Sequence, residues 1–517
     1  MELPPSKCGA MEGDRLSSLP DDILHSILHG LPLKDMVRTS GVSRRFEKTW
    51  LNALAASPIL DFTDRDFVSG RDQTATRAAR TVERCLARHA ELGAPLHVLR
   101  VALDGSSLDD VVTAFAQDIT WWVVSSVARG AREVEVNLTP CGESASQLEV
   151  DEADDNEIML FLELPGNLFM ARNSLVRLAL DRFSLRAVPP DAAGLTGLHS
   201  LSLSHADVTD EGVQTVLSSC HSLEFLRLQR CHLLASVRII GDKLRSLEIV
   251  SCLAMRELRV TAPSLESFAF HGDIIVYVRD EDVGGFVPAA TNNNLGATPL
   301  LRDAYLSHIG FGDVWNHDQN DAYSNFILSM AVARTLTVCS DGLLMFAQAE
   351  YNPDVDVGMP NLQELQLLMA FESYIYLEAM SAFFQVNPLP LLDRLFIRIL
   401  DESSNENRVE ALYSDDEDYG NLYIEGEDFV LGHLRLIKML NFRGTWFQLM
   451  MLSILVKRAP VLEQLVLVTA EQGDELLEIT QGHVSAIRKA SPEVRVIVCR
   501  PSEDSSENAA HSRLYHE

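Results

Sequence analysis

His25 and His29 stand four residues apart. On a helix that spacing brings both imidazoles to one face, where they can grip zinc. No HExxH surrounds them and no further ligand is at hand, so they read as solvent-facing helix residues. Cys220, Cys231 and Cys252 come nearest to a thiol cluster, yet the eight cysteines run from Cys8 to Cys499 without a CxxC pair. We read them as reduced, mostly buried thiols. Ser414, followed by Asp415-Asp416-Glu417-Asp418, has the pattern of an acidophilic-kinase site. The acidic runs contain no EF-hand loop with both its glycine and its terminal glutamate. With no GxSxG, P-loop, metal signature or catalytic-cysteine motif, we assign no catalytic residue, metal or cofactor. The side chains with most to offer are arginines. Arg227, Arg259, Arg394 and Arg398 fall at positions that alternate with the apolar ones of a repeated pattern. They can hold an acidic peptide or phosphate through bidentate hydrogen bonds, or pair with Glu248, Glu257 and their neighbours in strand ladders.

The pattern is LxxLxL. It appears as Leu96-x-x-Leu99-x-Val101, Leu175-x-x-Leu178-x-Leu180, Leu198-x-x-Leu201-x-Leu203 and Leu223-x-x-Leu226-x-Leu228. It goes on through Leu244, Met255, Leu265, Leu301, Leu362, Leu392, Leu434 and Leu462. The central starts at 175, 198, 223, 244 and 265 lie 23, 25, 21 and 21 residues apart, the period of a leucine-rich repeat. The extra start at 255 leaves no room for a helix. Each unit is a strand and a return segment that cannot bury its leucines alone, so stacking must close the core. The fold class expected is an α/β repeat: a horseshoe-shaped solenoid of strand plus helix or loop units. His205–Ser218 and Ser106–Ala128 read as return helices, with Trp121 and Trp122 in the core. Residues between the leucines then face the concave side. Phe225, Arg227, Gln229, Arg259, His271, Tyr305, Arg394, Phe396 and Arg398 form the target-binding face expected there. Its mixture of aromatic and charged groups suits a protein partner.

The N-terminus has a different texture. Pro20 suits a first helical turn, Asp21 and Asp22 sit at the positive end of the dipole, and Leu24, Ile27, Leu28 and Leu31 recur at helical spacing. Gly30 and Pro32 end the helix, and two short helices are expected after it. About forty residues in three helices bury too little surface to stand alone. One apolar face should therefore pack internally and another on a partner. The run Asp14-Arg15-Leu16, Leu19-Pro20-Asp21-Asp22-Ile23-Leu24, Ile27-Leu28, Leu31-Pro32, Lys34-Asp35, Val37-Arg38-Thr39-Ser40 and Ser43-Arg44-Arg45-Phe46 closely resembles a plant F-box. The resemblance implies a three-helix F-box that docks on a Skp-type adaptor, and through it on a cullin–RING ubiquitin ligase. It implies that Leu19 and Pro20 enter the adaptor's cleft. Ile23, Leu24, Ile27 and Leu28 would divide between interface and core, and Val37, Val42 and Arg44 would add contacts. Near the other end, Phe442-Arg443-Gly444 and Leu455-Val456-Lys457-Arg458-Ala459-Pro460-Val461-Leu462-Glu463 resemble the FBD region that closes many plant F-box/leucine-rich-repeat proteins.

The expected organisation is a disordered start (1–13), an F-box (14–55), a helical linker (56–95), repeats (96–433), FBD-like terminal repeats with a cap (434–500) and a disordered tail (501–517). Acidic insertions interrupt the repeats near 143–163 and 401–428. These stretches contribute −18 of the net charge of −31, while the first 50 residues are neutral. The acidic balance disfavours nucleic acid and anionic membranes as partners. No signal peptide or 18-residue apolar run is found, so an intracellular protein, cytoplasmic or nuclear, is expected. The function implied is a non-catalytic substrate-recognition subunit of a ubiquitin ligase. A small-molecule-dependent receptor of the same architecture and a repeat scaffold outside ubiquitination are the competing readings.

Overall fold

A computed structural model describes residues 19–29, 31, 35, 39, 46–55, 57–64, 67–68, 74–103, 108–138, 161–170, 174–186, 188–189, 192–255, 257–272, 277–280, 285–288, 294–295, 298–308, 326–348, 358–370, 372–400, 429–469, 482, 484 and 487–511. The chain divides into two compact units, residues 1–142 with 158–198, and residues 143–157 with 199–517.

In the first unit, helix α1 (Asp21–His29) starts behind Pro20, whose carbonyl accepts the Ile23 and Leu24 amides, both at 3.1 Å. Helix α2 (Phe46–Ala55) packs on it. Strand β1 (Ile59–Phe62) follows, then α3 (Ala75–Leu92), β2 (Val98–Ala102), α4 (Leu108–Ala128), β3 (Glu133–Asn137) and β4 (Arg177–Asp181). The strands pair in parallel in the order β1-β2-β3-β4. The segment 56–95, expected as a helical linker, thus already contains a repeat. Leu60 and Phe62 are fully buried and continue the rows of Leu99 and Val101. The early strand escapes the leucine code because Ser57 stands where the recognised copies begin with Leu or Met. Thr74 caps α3 by accepting the Arg77 amide at 3.3 Å, and Gly93 (φ +62°) closes it in the left-handed conformation that glycine adopts without strain. On α4, Trp122 is fully buried, whereas Trp121 is 42 % exposed.

The second unit repeats one plan. Strands β5 (Ser200–Ser204), β6 (Phe225–Gln229), β8 (Ser246–Val250), β10 (Ser267–Gly272), β11 (Asp303–His308) and β12 (Thr335–Cys339) pair in parallel, in that order. The ladder continues through β13 (Glu364–Met369), β14 (Arg394–Ile399), β15 (Leu436–Phe442), β16 (Gln464–Thr469) and β17 (Arg495–Cys499). Register never slips along the inward row Leu201, Leu226, Leu247, Phe268, Ala304, Leu336, Leu365, Leu395, Ile437, Leu465 and Val496. Return segments include helices α5 (Asp210–Ser219), α6 (Ser340–Gln348), α7 (Tyr374–Val386) and α8 (Trp446–Val456). The chain leaves several strands through a non-glycine residue of positive φ: His205 (45°), Arg230 (50°), Ser251 (54°) and Asn441 (60°). Each stands two residues past the second inward position, so the strain belongs to the repeat. Just beyond, the Cys231 and Cys252 thiols donate to the Leu203 and Leu228 carbonyls at 3.8 and 3.7 Å. That is the Asn/Cys position of the leucine-rich code, and it explains these cysteines without a metal.

The start at Met255 belongs elsewhere. Strand β9 (Glu257–Thr261) lies between β7 (Ser236–Ile240) and Asn294–Leu295 in a separate parallel sheet. Starting 11 residues after Leu244 puts it half a period out of phase, among the return segments.

One buried histidine ties α3 to the end of α2. His89 donates from Nε2 to the Ser57 carbonyl at 3.0 Å, while Nδ1 accepts from the Arg129 guanidinium. Burial, and then the Arg129 charge, lower its pKa below 6.5. The unfolded chain therefore binds this proton first, and stability should fall as pH drops below about 6.5. Thermal melting between pH 7.5 and pH 5.5 tests this. His89→Gln should flatten the slope, and equal slopes for variant and wild type would refute the assignment.

Candidate functional site

Two surfaces carry the side chains singled out by the sequence. On α1, Leu24 and Leu28 are each 1 % exposed, and Trp50, Ala53 and Leu54 of α2 are buried with them. Ile23 (48 %), Ile27 (43 %) and Leu31 (36 %) stay exposed at i, i+4, i+8 spacing. Leu19 is half-buried and Pro20 exposed at the head of this strip. The helix is thus apolar on two faces, one of which covers α2. Val37, Val42 and Arg44 lie outside the described residues.

The other surface is the sheet face opposite the leucine rows in the second unit. One register line across it reads Ser202, Arg227, Glu248, Ala269, Tyr305, Thr337, Gln366, Phe396, Lys438, Val466 and Ile497. At its first strands Phe225 is 47 % exposed. Arg227 reaches Glu248 at 3.5 Å and donates to Gln229 at 2.5 Å, so it sits in a strand ladder. Arg259 is not on this face. Its strand belongs to the separate sheet, where it pairs with Glu257 at 2.6 Å. His271, Tyr305 and Phe396 are on the face but buried rather than presented, and the His271 ring is hydrogen-bonded to Ser307. Arg394 bridges to Glu364 and to Glu507, each at 3.2 Å, and Arg398 is half-buried on the same strand.

The cover over part of this face is the end of the chain itself. Residues 501–511, expected as a loose tail, cross the sheet from β15 to β11. Lys438, fully buried, gives its ammonium to the Asp504 carboxylate at 2.6 Å, the Glu507 carbonyl at 2.8 Å and the Asn508 amide oxygen at 3.1 Å. Burial penalises the Asp504 carboxylate, but hydrogen bonds from Lys438 and Ser506 outweigh this and hold its pKa below the ordinary value. Ala509 packs against the cluster of Phe396, Leu436, Val466, Val468 and Cys499. The Ala510 amide donates to the buried Glu364 carboxylate at 2.6 Å. His511 meets Thr337 Oγ1 at 2.8 Å and Asp303 at 3.3 Å, with its ring edge-on to Tyr305 at 5.8 Å. Lys438 was the readable signal: a lysine between the inward positions Ile437 and Met439 must find its partners on this face. Among the described residues, no group of three His, Cys, Asp or Glu side chains is placed to hold a metal, and no helix is long and apolar enough to cross a membrane.

Two family models match the chain. Residues 16–53 match the F-box domain, and residues 156–284 match the leucine-rich-repeat domain described for At1g61320/AtMIF1. Similar proteins of Arabidopsis thaliana include F-box/FBD/LRR-repeat protein At5g56420, 29 % identical over 52 % of this chain and 51 % of that protein. FBD-associated F-box protein At4g10400 is 28 % identical over 58 % of this chain and 63 % of its own length. FBD-associated F-box protein At1g61320 is 21 % identical over 87 % of this chain and 88 % of its own. The chain thus spans about half the length of the first relative and more of the others.

The two faces of α1 give a stability prediction. Leu24→Ala should cost ~2–5 kcal/mol, because it opens a cavity against α2. Ile23→Ser and Ile27→Ser should stay within about 0.5 kcal/mol, because both side chains already meet solvent. Urea denaturation measures each loss, and similar losses at all three positions would overturn the division.

Proposed function

We propose that this chain, an F-box and leucine-rich-repeat protein of the plant type with an FBD-like C-terminal region, is the target-recognition subunit of a Skp–cullin–F-box ubiquitin ligase. The reading rests on one observation above all. Within the residues that match the F-box, α1 keeps Leu24 and Leu28 inward and leaves Ile23 and Ile27 exposed, with Leu31 exposed just past its end and Leu19 and Pro20 before its start. An exposed strip of this kind on a helix is a cost in water unless a partner covers it. A Skp-type adaptor is the partner that the F-box implies. On this reading the F-box comprises three helices over 14–55, with Val37, Val42 and Arg44 completing the adaptor surface, and the repeats curve as a horseshoe solenoid around a target protein.

The mechanism is tethering. Holding a target on the repeats while the F-box is fixed to the ligase turns ubiquitin transfer into an effectively intramolecular encounter. The effective concentration is then set by geometry, without chemistry by this chain. It works inside the cell, wherever the ligase assembles. The target's chemistry is not read from the F-box; it must come from the repeat face.

Leu19→Asp combined with Pro20→Ala should abolish co-purification with a Skp-type adaptor. The circular dichroism of the variant should match that of the unaltered chain, because both residues precede α1. An undiminished pull-down by the double variant would overturn the adaptor assignment.

A further inference from the structure

The C-terminal segment does more than finish the last repeat. To cap the edge strand β17 it would need to lie beside Arg495–Cys499. Instead it turns through Pro501–Glu503, held by the Glu503 carboxylate, which accepts the Arg500 amide at 3.3 Å. It then runs back across the face to β11. Its fixed points fall on successive strands: Lys438 on β15, Arg394 on β14, Glu364 on β13, Thr337 on β12, and Tyr305 with Asp303 on β11.

We infer that residues 504–511 are an intramolecular ligand, and that the face from β11 to β15 is a docking groove for an extended acidic peptide of a partner protein, which takes the tail's place. The inference rests on the reading that this repeat face receives the target. Three features carry it. An ammonium has three protons to donate, and at Lys438 all three hydrogen bonds run to the tail, to a side-chain carboxylate, a backbone carbonyl and a side-chain amide. A buried lysine with such a set is a receptor for a carboxylate on an extended strand. Next, the Glu364 carboxylate is 2 % exposed and takes a backbone N–H from the tail, a donor that any peptide but one with proline there can supply. Lastly, Glu507 is 67 % exposed while it pairs with Arg394, which is the rim contact of a binding site and not of a core. The groove thus reads a carboxylate, a second carboxylate three residues on, a small residue two further at the Phe396 cluster, and a ring two beyond that over Tyr305.

The tether sets the competition. A short flexible linker gives an effective concentration on the order of 1 mM. A free peptide with an intrinsic Kd of about 10 μM would then appear ~100-fold weaker in the presence of the tail. The probe is a fluorescein-labelled peptide, RPSEDSSENAAHSR, the sequence of residues 500–513. Fluorescence anisotropy compares the full chain with the full-length variant D504N/E507Q, whose isosteric changes weaken the tail without removing it. The variant should bind the peptide at least tenfold more tightly than the wild type does. A peptide with Asp, Glu and His replaced by alanine should bind neither. Adding Arg394→Gln to the variant should weaken binding again. A second protein covers a folding defect in the variant. Here a protease site is inserted between Cys499 and Arg500, and the cut tail should leave on dilution while the melting profile of the remainder persists. The inference is overturned by a folded variant that does not bind, by equal binding to wild type and variant, by equal binding of the alanine peptide, or by a cut tail that leaves only when the repeats unfold. Repeating the measurement with Leu19→Asp separates the two readings. Adaptor capture should vanish there with peptide binding unchanged, so failure of the groove leaves the adaptor assignment intact.

Discussion

Everything in the repeat unit depends on strands that cannot slip against each other. With a side-chain period of two, a one-residue shift would carry every leucine of a strand to the other face. The row from Leu201 to Val496 is unbroken, and this fixes the opposite row with it. Lys438 is therefore aligned with Phe396 because Ile437 is aligned with Leu395. A single repeat has no core of its own, so the register is enforced by neighbours. The positive-φ exits at His205, Arg230 and Ser251, and the thiols of Cys231 and Cys252, belong to the same constraint. They turn each strand at one place and satisfy the carbonyls of the strand before.

The first unit extends this logic to the attachment of its N-terminal helices. A short helical segment that offers one face outward must be anchored by what remains. Here Leu24 and Leu28 bury against α2, and α2 in turn is held to α3 by Arg88 donating to Asn52 at 3.0 Å and His89 donating to Ser57. The anchor is partly polar, so its strength responds to protonation. Hydrogen bonds of defined direction thus seat α2, the platform on which Leu24 and Leu28 of α1 pack, against α3.

How much of this was legible in the sequence differs by the range of the interactions involved. The leucine rows were legible because the alternation is local and recurs. The same locality misled at Met255: MxxLxV looks like any other copy, and nothing inside it says that it falls half a turn out of phase. Arg259 was consequently assigned to the wrong sheet. The α1 partition was foreshadowed by apolar residues at both i, i+4 series, although only burial shows that Leu24 and Leu28 are the inner pair. The tail was illegible for a physical reason. EDSSENAAH has no apolar period and the composition of a solvated segment, and its partners lie 69 residues back at Lys438, 146 at Glu364 and 174 at Thr337. Acidic residues order only where cations and donors wait for them, and those positions were set by another part of the code. Val37, Val42 and Arg44 lie outside the described residues, as do the acidic insertions apart from residues 161–163.

The net charge of −31 takes its meaning from this placement. A strongly acidic chain repels acidic ligands at a distance, yet the groove holds Lys438 where water is scarce and screening is poor, with Arg394 at its rim. Selectivity for a carboxylate then comes from short-range geometry, since long-range attraction is absent or adverse. Such a site favours a ligand that is either tethered or already concentrated nearby. The tail meets the first condition. A target brought to the repeats by contacts at the exposed Phe225 end would meet the second, and the two would compete for the same lysine.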